Sequence, residues 1–173
     1  MSAFIVFLKK VDEGLTRIEE ALVSGLLFVM MMVIFLAVLE RFLFKMGITW
    51  IEEFARYVSV WAAFIGSSLA VKKGAHIGIE AFVQILPKKI RQVEELLVDL
   101  AGLAFSVVVV YIGIELIQKL LRTNQLSPAM RIPIAWAYIA VPVGCGLMGV
   151  HYLIKFITGV SATLSARAPE GEA

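Results

Sequence analysis

Three ionisable residues crowd the start of an apolar run in "WIEEFARYVSVWAAFIGSSLAVKK": Glu52, Glu53 and Arg56. Two carboxylates side by side can share a proton or hold a cation, and an arginine can hold an anion. The spacing also permits something plainer. Glu53 and Arg56 stand at i, i+3 and Glu52 and Arg56 at i, i+4, so a local ion pair forms easily on a helix. A charge at the centre of a bilayer costs roughly 2.5–3.5 kcal/mol on insertion scales and less toward the interface. Arg56 lies within a turn of the run's start, where it can snorkel or pair. The group therefore reads as an anchor or a partner contact ahead of a proton or ion relay.

The remaining reactive side chains support little chemistry. Asp99 and Glu115 sit near the ends of a later run, where interfacial water satisfies them. Two histidines, His76 in a loop and His151 near a helix end, cannot supply the paired axial ligands of a multi-haem cytochrome. A serine hydrolase would need Ser67 or Ser68 beside one of them in mid-span, and neither histidine falls there. The single cysteine, Cys145, excludes an intrachain disulfide and dithiol exchange. No phosphate-cradling glycine loop or metal-ligand spacing is present. The expectation is a protein without catalysis and without a cofactor of its own.

The elements that carry these residues are apolar helices. Of 173 residues 60% are hydrophobic and 17% charged, against about 45–50% and about 25% in soluble domains. Net charge is +2, which gives no case for nucleic acid. The apolar residues gather in four runs, about 21–39, 54–71, 96–117 and 132–154. Each approaches the ~20 residues that cross a ~30 Å hydrocarbon layer, and lipid requires the backbone to bond internally. The fold class is an all-α integral membrane protein, one domain over 1–173 with four transmembrane helices. Ten Lys and Arg residues fall on the side of the termini and six on the other. The positive-inside rule places both termini in the cytoplasm.

Two segments are expected to lie along the interface. In about 3–18, Phe4, Phe7, Leu8, Val11, Leu15 and Ile18 follow helical spacing, with Lys10, Glu13, Arg17 and Glu20 opposite. The second, about 76–86, is short and apolar and ends at Pro87, which suits the first turn of a following helix. Pro142 should kink the fourth span by leaving the Tyr138 carbonyl without its helix partner. Residues 162–173 read as a disordered tail.

Small residues form strips at helical spacing. They are Ser59, Ala63, Gly66 and Ala70 with Glu52 and Arg56; Asp99, Gly102, Ser106, Val110 and Gly113; and Ala137, Ala140, Gly144 and His151. Such strips let membrane helices approach closely, so they are expected to form the inner seam. The aromatic side of the second span, with Trp50, Tyr57, Trp61 and Phe64, would then meet lipid or another protein.

Two motifs carry a resemblance. The first is Trp50, Glu53, Arg56, Trp61, Gly66, Lys73, Gly74, His76 and Ile77. The second is Ser127-Pro128-Ala129, Ile132-Pro133, Trp136, Tyr138, Pro142 and Gly144. In this order, within a four-span chain, they resemble the small membrane subunit of tripartite ATP-independent periplasmic (TRAP) transporters, the DctQ-like family. The doublet Glu52-Glu53 leaves open which acid fills the family's position.

The resemblance implies a bacterial inner-membrane complex of three components. A periplasmic substrate-binding protein captures an organic acid such as a dicarboxylate or sialic acid. A large DctM-like permease imports it with sodium ions, and the small subunit braces that permease. Substrate and ion sites would then lie in the partner. Trp50, Glu52, Glu53, Arg56, Tyr57, Trp61, Lys73, His76, Trp136 and Tyr138 would contact the partner or anchor the chain in the bilayer. The competing expectation is a self-sufficient oligomeric transporter or channel that uses Glu53, Asp99 or Glu115.

Overall fold

The first apolar run and the amphipathic stretch before it form one uninterrupted helix, α1, Ser2–Leu39, in the computed structural model. The structure describes residues 2–44, 48–74 and 88–167, with side chains over 6–43, 48–74 and 94–161. A separate surface helix over 3–18 is thus corrected. No proline separates the two stretches, so the hydrogen-bond ladder continues through them. At 1.5 Å per residue α1 extends about 57 Å, well beyond the apolar layer. A short π-helical segment, Glu40–Phe44, follows it.

The second helix, α2, is Thr49–Lys73. It stops at Gly74, whose φ of 70° suits a residue without a Cβ and lets its N–H return to the Ala70 and Val71 carbonyls. Next, α3 covers Lys88–Arg122, so the third span does begin well before its apolar stretch. The expected interfacial segment 76–86 and Pro87 lie outside the described residues. One turn, α4, covers Ala135–Tyr138, and α5 covers Ala140–Arg167. Pro142 falls in the first turn of α5 and has no N–H to offer the Tyr138 carbonyl one turn back. The ladder breaks at Ile139 while its backbone stays right-handed helical, at φ −59° and ψ −28°. The expected disordered tail begins as helix through Arg167; 168–173 lie outside the described residues.

Among the described residues four helical stretches are long and apolar enough to cross a membrane: Val6–Leu43, Thr49–Lys73, Glu94–Arg122 and Ala135–Ser161. Several hydroxyls within them bond to their own helix. Ser59 donates to the Ala55 carbonyl (2.7 Å), Ser67 to Ala63 (2.8 Å) and Ser106 to Gly102 (2.8 Å).

The helices pack in a row, α1 on α2, α2 on α5 and α5 on α3, and α1 and α3 at its two ends barely meet. The closest approaches lie along this row. A Cβ on Gly144 of α5 would stand 2.8 Å from the Phe64 backbone of α2, and one on Gly102 of α3 would stand 2.4 Å from the Tyr152 ring of α5. The expected seams of α3 and α5 are thus real packing faces, with Ser106, Ala137, Ala140 and His151 all buried.

The strip on α2 is not such a seam. Its buried face is Glu53, Val58, Ala62, Ile65, Ser68 and Val71, whereas Glu52, Arg56, Ala63 and Ala70 are exposed. Ser59, Ala63, Gly66 and Ala70 instead line an open groove of about 630 Å³ against Val23, Leu27 and Met30 of α1. The aromatic side turns inward in part, because Phe64 meets Gly144 and Trp61 meets α4. Polar groups that need partners decide the rotation of this helix.

Candidate functional site

Two polar constellations stand toward opposite ends of the helices. The first is at the start of α2, where the expected acid sits. Glu53 is only 2% exposed. Its Oε1 accepts the Tyr57 hydroxyl at 2.6 Å, one turn further along the same helix. Its Oε2 accepts the backbone N–H groups of Ala129 at 2.8 Å and Met130 at 3.0 Å. Those donors come from the loop between α3 and α4, which folds back tightly on itself. There Ser127 N–H donates to the Ile132 carbonyl (2.8 Å), Arg131 N–H to Ser127 (3.2 Å) and Ile134 N–H to Gln125 (3.0 Å). Asn124 and Arg131 take positive φ values of 46° and 56°, the turning points of this fold-back. Two N–H groups left pointing outward need an acceptor, and Glu53 supplies it.

The expected pair between Glu53 and Arg56 therefore does not form. Arg56 is exposed and makes no ion pair among the described residues. A guanidinium can stay hydrated at the interface, whereas a buried N–H cannot, so the loop takes the carboxylate. Beside this clamp the Trp61 indole N–H donates to the Trp136 carbonyl at 3.1 Å, tying α2 to α4. Trp50 and Trp136 are 50% and 61% exposed and Tyr138 is partly exposed, so an aromatic rim surrounds the clamp. At the far end of α2, Lys73 pairs with Glu20 at 2.8 Å on the surface, a contact worth about 0–1 kcal/mol. His76 lies outside the described residues.

The second constellation joins α1, α2 and α5 at the end that carries the termini. His151 of α5 is 0% exposed and lies between two acids of α1. Its Nδ1 is 2.6 Å from Asp12 Oδ1 and its Nε2 is 3.1 Å from Glu19 Oε2. The Ser68 hydroxyl donates to Glu19 Oε1 at 3.0 Å, and the Lys72 ammonium donates to Asp12 Oδ2. Lys155 donates to the Val71 carbonyl, at the negatively polarised end of α2. The sequence reading assigned none of these residues a site role. Asp12 and Glu19 are two turns apart and so share a face, and with a lone histidine in a span they were the available signal.

Contrary to the expectation that Ser68 and a buried histidine lie apart, the structure brings Ser68 and His151 onto one carboxylate, Glu19, with the serine hydroxyl bonded to the acid and not to the imidazole. Among the described residues no group of three or more His, Cys, Asp or Glu could hold a metal ion. Each carboxylate in the two sites is held by donors from other helices or loops of the same chain.

Comparison with known proteins places the chain in a family. The family described as tripartite ATP-independent periplasmic transporters, DctQ component, matches residues 30–162. An isethionate TRAP transporter permease protein of Oleidesulfovibrio alaskensis is 30% identical over 104 residues, 60% of this chain and 16% of that protein. A C4-dicarboxylate TRAP transporter small permease protein of Rhodobacter capsulatus is 27% identical over 107 residues, 62% of this chain and 47% of that relative. A sialic acid TRAP transporter small permease protein of Vibrio cholerae is 25% identical over 164 residues, 91% of this chain and 94% of the relative. The chain thus spans under half the length of the first two and nearly all of the third. With the family match covering well over half its length, the chain belongs to the DctQ-component family of tripartite ATP-independent periplasmic transporters.

Proposed function

We propose that this chain is a small, non-catalytic scaffold subunit of a secondary active transporter. It braces a large permease that imports an organic acid with sodium ions, delivered by a periplasmic binding protein. The observation that carries this reading is where the polar groups point. Glu53, Asp12, Glu19 and His151 bond to other parts of the same chain, while the outer surface of the row is apolar. On α1 alone Phe28, Met31, Phe35 and Phe42 are 61%, 61%, 56% and 74% exposed. An open row of helices with its buried ionic groups bonded internally suits a brace laid along a larger membrane protein.

Two further points support it. The isethionate permease protein, of which this chain matches 16%, is a far longer polypeptide that contains a counterpart of this one. The names of the relatives cite isethionate, C4-dicarboxylate and sialic acid, all organic acids. The charge asymmetry favours a chain in the bacterial inner membrane with both termini cytoplasmic. The exposed Trp50, Arg56, Trp136 and Tyr138 would then form a periplasmic rim available to a partner.

The test is purification of the tagged chain from its native membrane, followed by reconstitution. A large multi-spanning permease should co-purify, and liposomes holding this chain by itself should show no sodium-driven organic-acid uptake. Uptake by the isolated chain would overturn the proposal.

A further inference from the structure

The starting point is what α1 buries. Among its described side chains only Asp12 and Glu19 are buried, at 5% and 1% exposure, although nearly all its neighbours are apolar. No residue in its most apolar stretch is buried. Lipid accepts an apolar helix surface as readily as another helix does, so burial of apolar area does not hold α1 in place. Within its packing on α2, the two acids supply the buried polar contacts that also reach α5.

Those contacts require a proton. A neutral imidazole has one N–H and one bare nitrogen. Both nitrogens of His151 face carboxylate oxygens, at 2.6 and 3.1 Å, so with a neutral ring and two ionised acids one contact would set a lone pair against a carboxylate. The assembly as built holds one proton more, on the ring or on a carboxyl. With that proton, Asp12, Glu19, Lys72 and His151 sum to zero charge; without it the four carry one negative charge, with the cationic Lys155 and Lys9 beside Lys72. Other charges lie around the site. Lys155 of α5 is bonded to a carbonyl, Lys73 and Glu20 pair with each other at the rim, and Lys9 of α1 approaches Lys72. On α3, Asp99 lies near Tyr152, and Glu95 stands one turn before it.

We propose that Asp12, His151 and Glu19 form a binding site for a single exchangeable proton, which latches the first half of α1 onto α2 and α5. Release breaks one N–H or O–H bond and passes the proton to water. The outlet is at Lys72, whose side chain is 28% exposed and hydrogen-bonded to Asp12. The ring's bare nitrogen then faces a carboxylate oxygen, lone pair against lone pair, and the first half of α1 swings away. The pH at the face carrying the termini would then set the position of α1. The inference does not depend on which solute the complex carries.

The experiment uses the full chain in lipid nanodiscs, scanned from about pH 5 to about pH 9. Histidine ring ¹⁵N resonances report the imidazole protons, with His76→Gln removing the second histidine. Infrared difference spectra report a proton held instead on Asp12 or Glu19. Spin labels at Lys10→Cys and Leu153→Cys, on a Cys145→Ala background, report the distance between α1 and α5. The expected result is one protonation step and one lengthening over the same pH interval. The ratio of closed to open forms should change about tenfold per pH unit, as a single bound proton requires. His151→Leu, which can donate to neither acid, should hold α1 open at every pH. Should that variant misfold, the scan of the parent chain decides the matter. A ring or carboxyl that titrates while α1 stays fixed overturns the latch, and so does a site whose protonation never changes.

Discussion

A carboxylate offers about four lone-pair positions, and Glu53 fills three with Tyr57 and two main-chain N–H groups of a loop 76 and 77 positions away. Glu53→Ala should free that loop and leave the helices standing. Glu53→Gln keeps one oxygen but presents an NH₂ where a donor already points, so it should fall between. Arg56→Ala removes no bond in this chain. Limited proteolysis of residues 123–134 in nanodiscs should therefore run severalfold faster in Glu53→Ala, moderately faster in Glu53→Gln, and at the parent rate in Arg56→Ala. Rapid cleavage in Arg56→Ala would restore the ion pair that helical spacing suggests. Spacing shows partners three or four positions away and nothing further, which is why Glu53 was legible as important and its partners were not. The same limit hid the other cluster. Asp12 and Glu19 lie 139 and 132 positions from His151. At 100° per residue they fall at the edge of α1's apolar strip, beside Leu8 and Leu15.

Between elements, close approach is set by glycines at particular contacts. A Cβ on Gly144 would meet the Phe64 backbone at 2.8 Å, whereas one on Gly146, two positions on, meets nothing within 4 Å. Gly144→Ala should cost about 1–3 kcal/mol through overpacking between α2 and α5. Gly146→Ala should be neutral or gain up to about 1 kcal/mol from helix propensity. Unfolding midpoints in mild detergent separate the two, and equal midpoints would mean that α2 and α5 are not tightly packed there. The strips on α3 and α5 were legible because small residues there do face a neighbouring helix. The strip on α2 misled because size was the only criterion. Glu53 and Ser68 must face donors or acceptors, and once they turn inward Ala63 and Ala70 turn outward to the groove. The long α1 was divided in two by composition, yet a change from amphipathic to apolar does not interrupt a backbone ladder.

At the scale of the whole molecule, the four spans follow directly from long apolar runs, but their order in the row depends on contacts that no run displays. Orientation is the global property on which both the scaffold and the proton latch depend, since it decides which compartment each polar cluster faces. The evidence for it is the distribution of sixteen cationic side chains, ten at the end with the termini. The molecule offers a clean way to test it. Its one cysteine, Cys145, is 2% exposed, so a Cys145→Ala background should fold and carry no competing thiol. Asn124→Cys places a thiol on the exposed loop between α3 and α4, and Lys73→Cys places one at the opposite end of α2. In intact cells a membrane-impermeant maleimide should label position 124 and leave position 73 unlabelled until the membrane is opened. The reverse pattern would put the Asp12–His151–Glu19 cluster toward the periplasm and its proton under the control of external pH. The Glu53 clamp and its aromatic rim would then face the cytoplasm, out of reach of any periplasmic binding protein. Labelling of both positions in intact cells would contradict the single span, α3, that separates them, and with it the row of four helices.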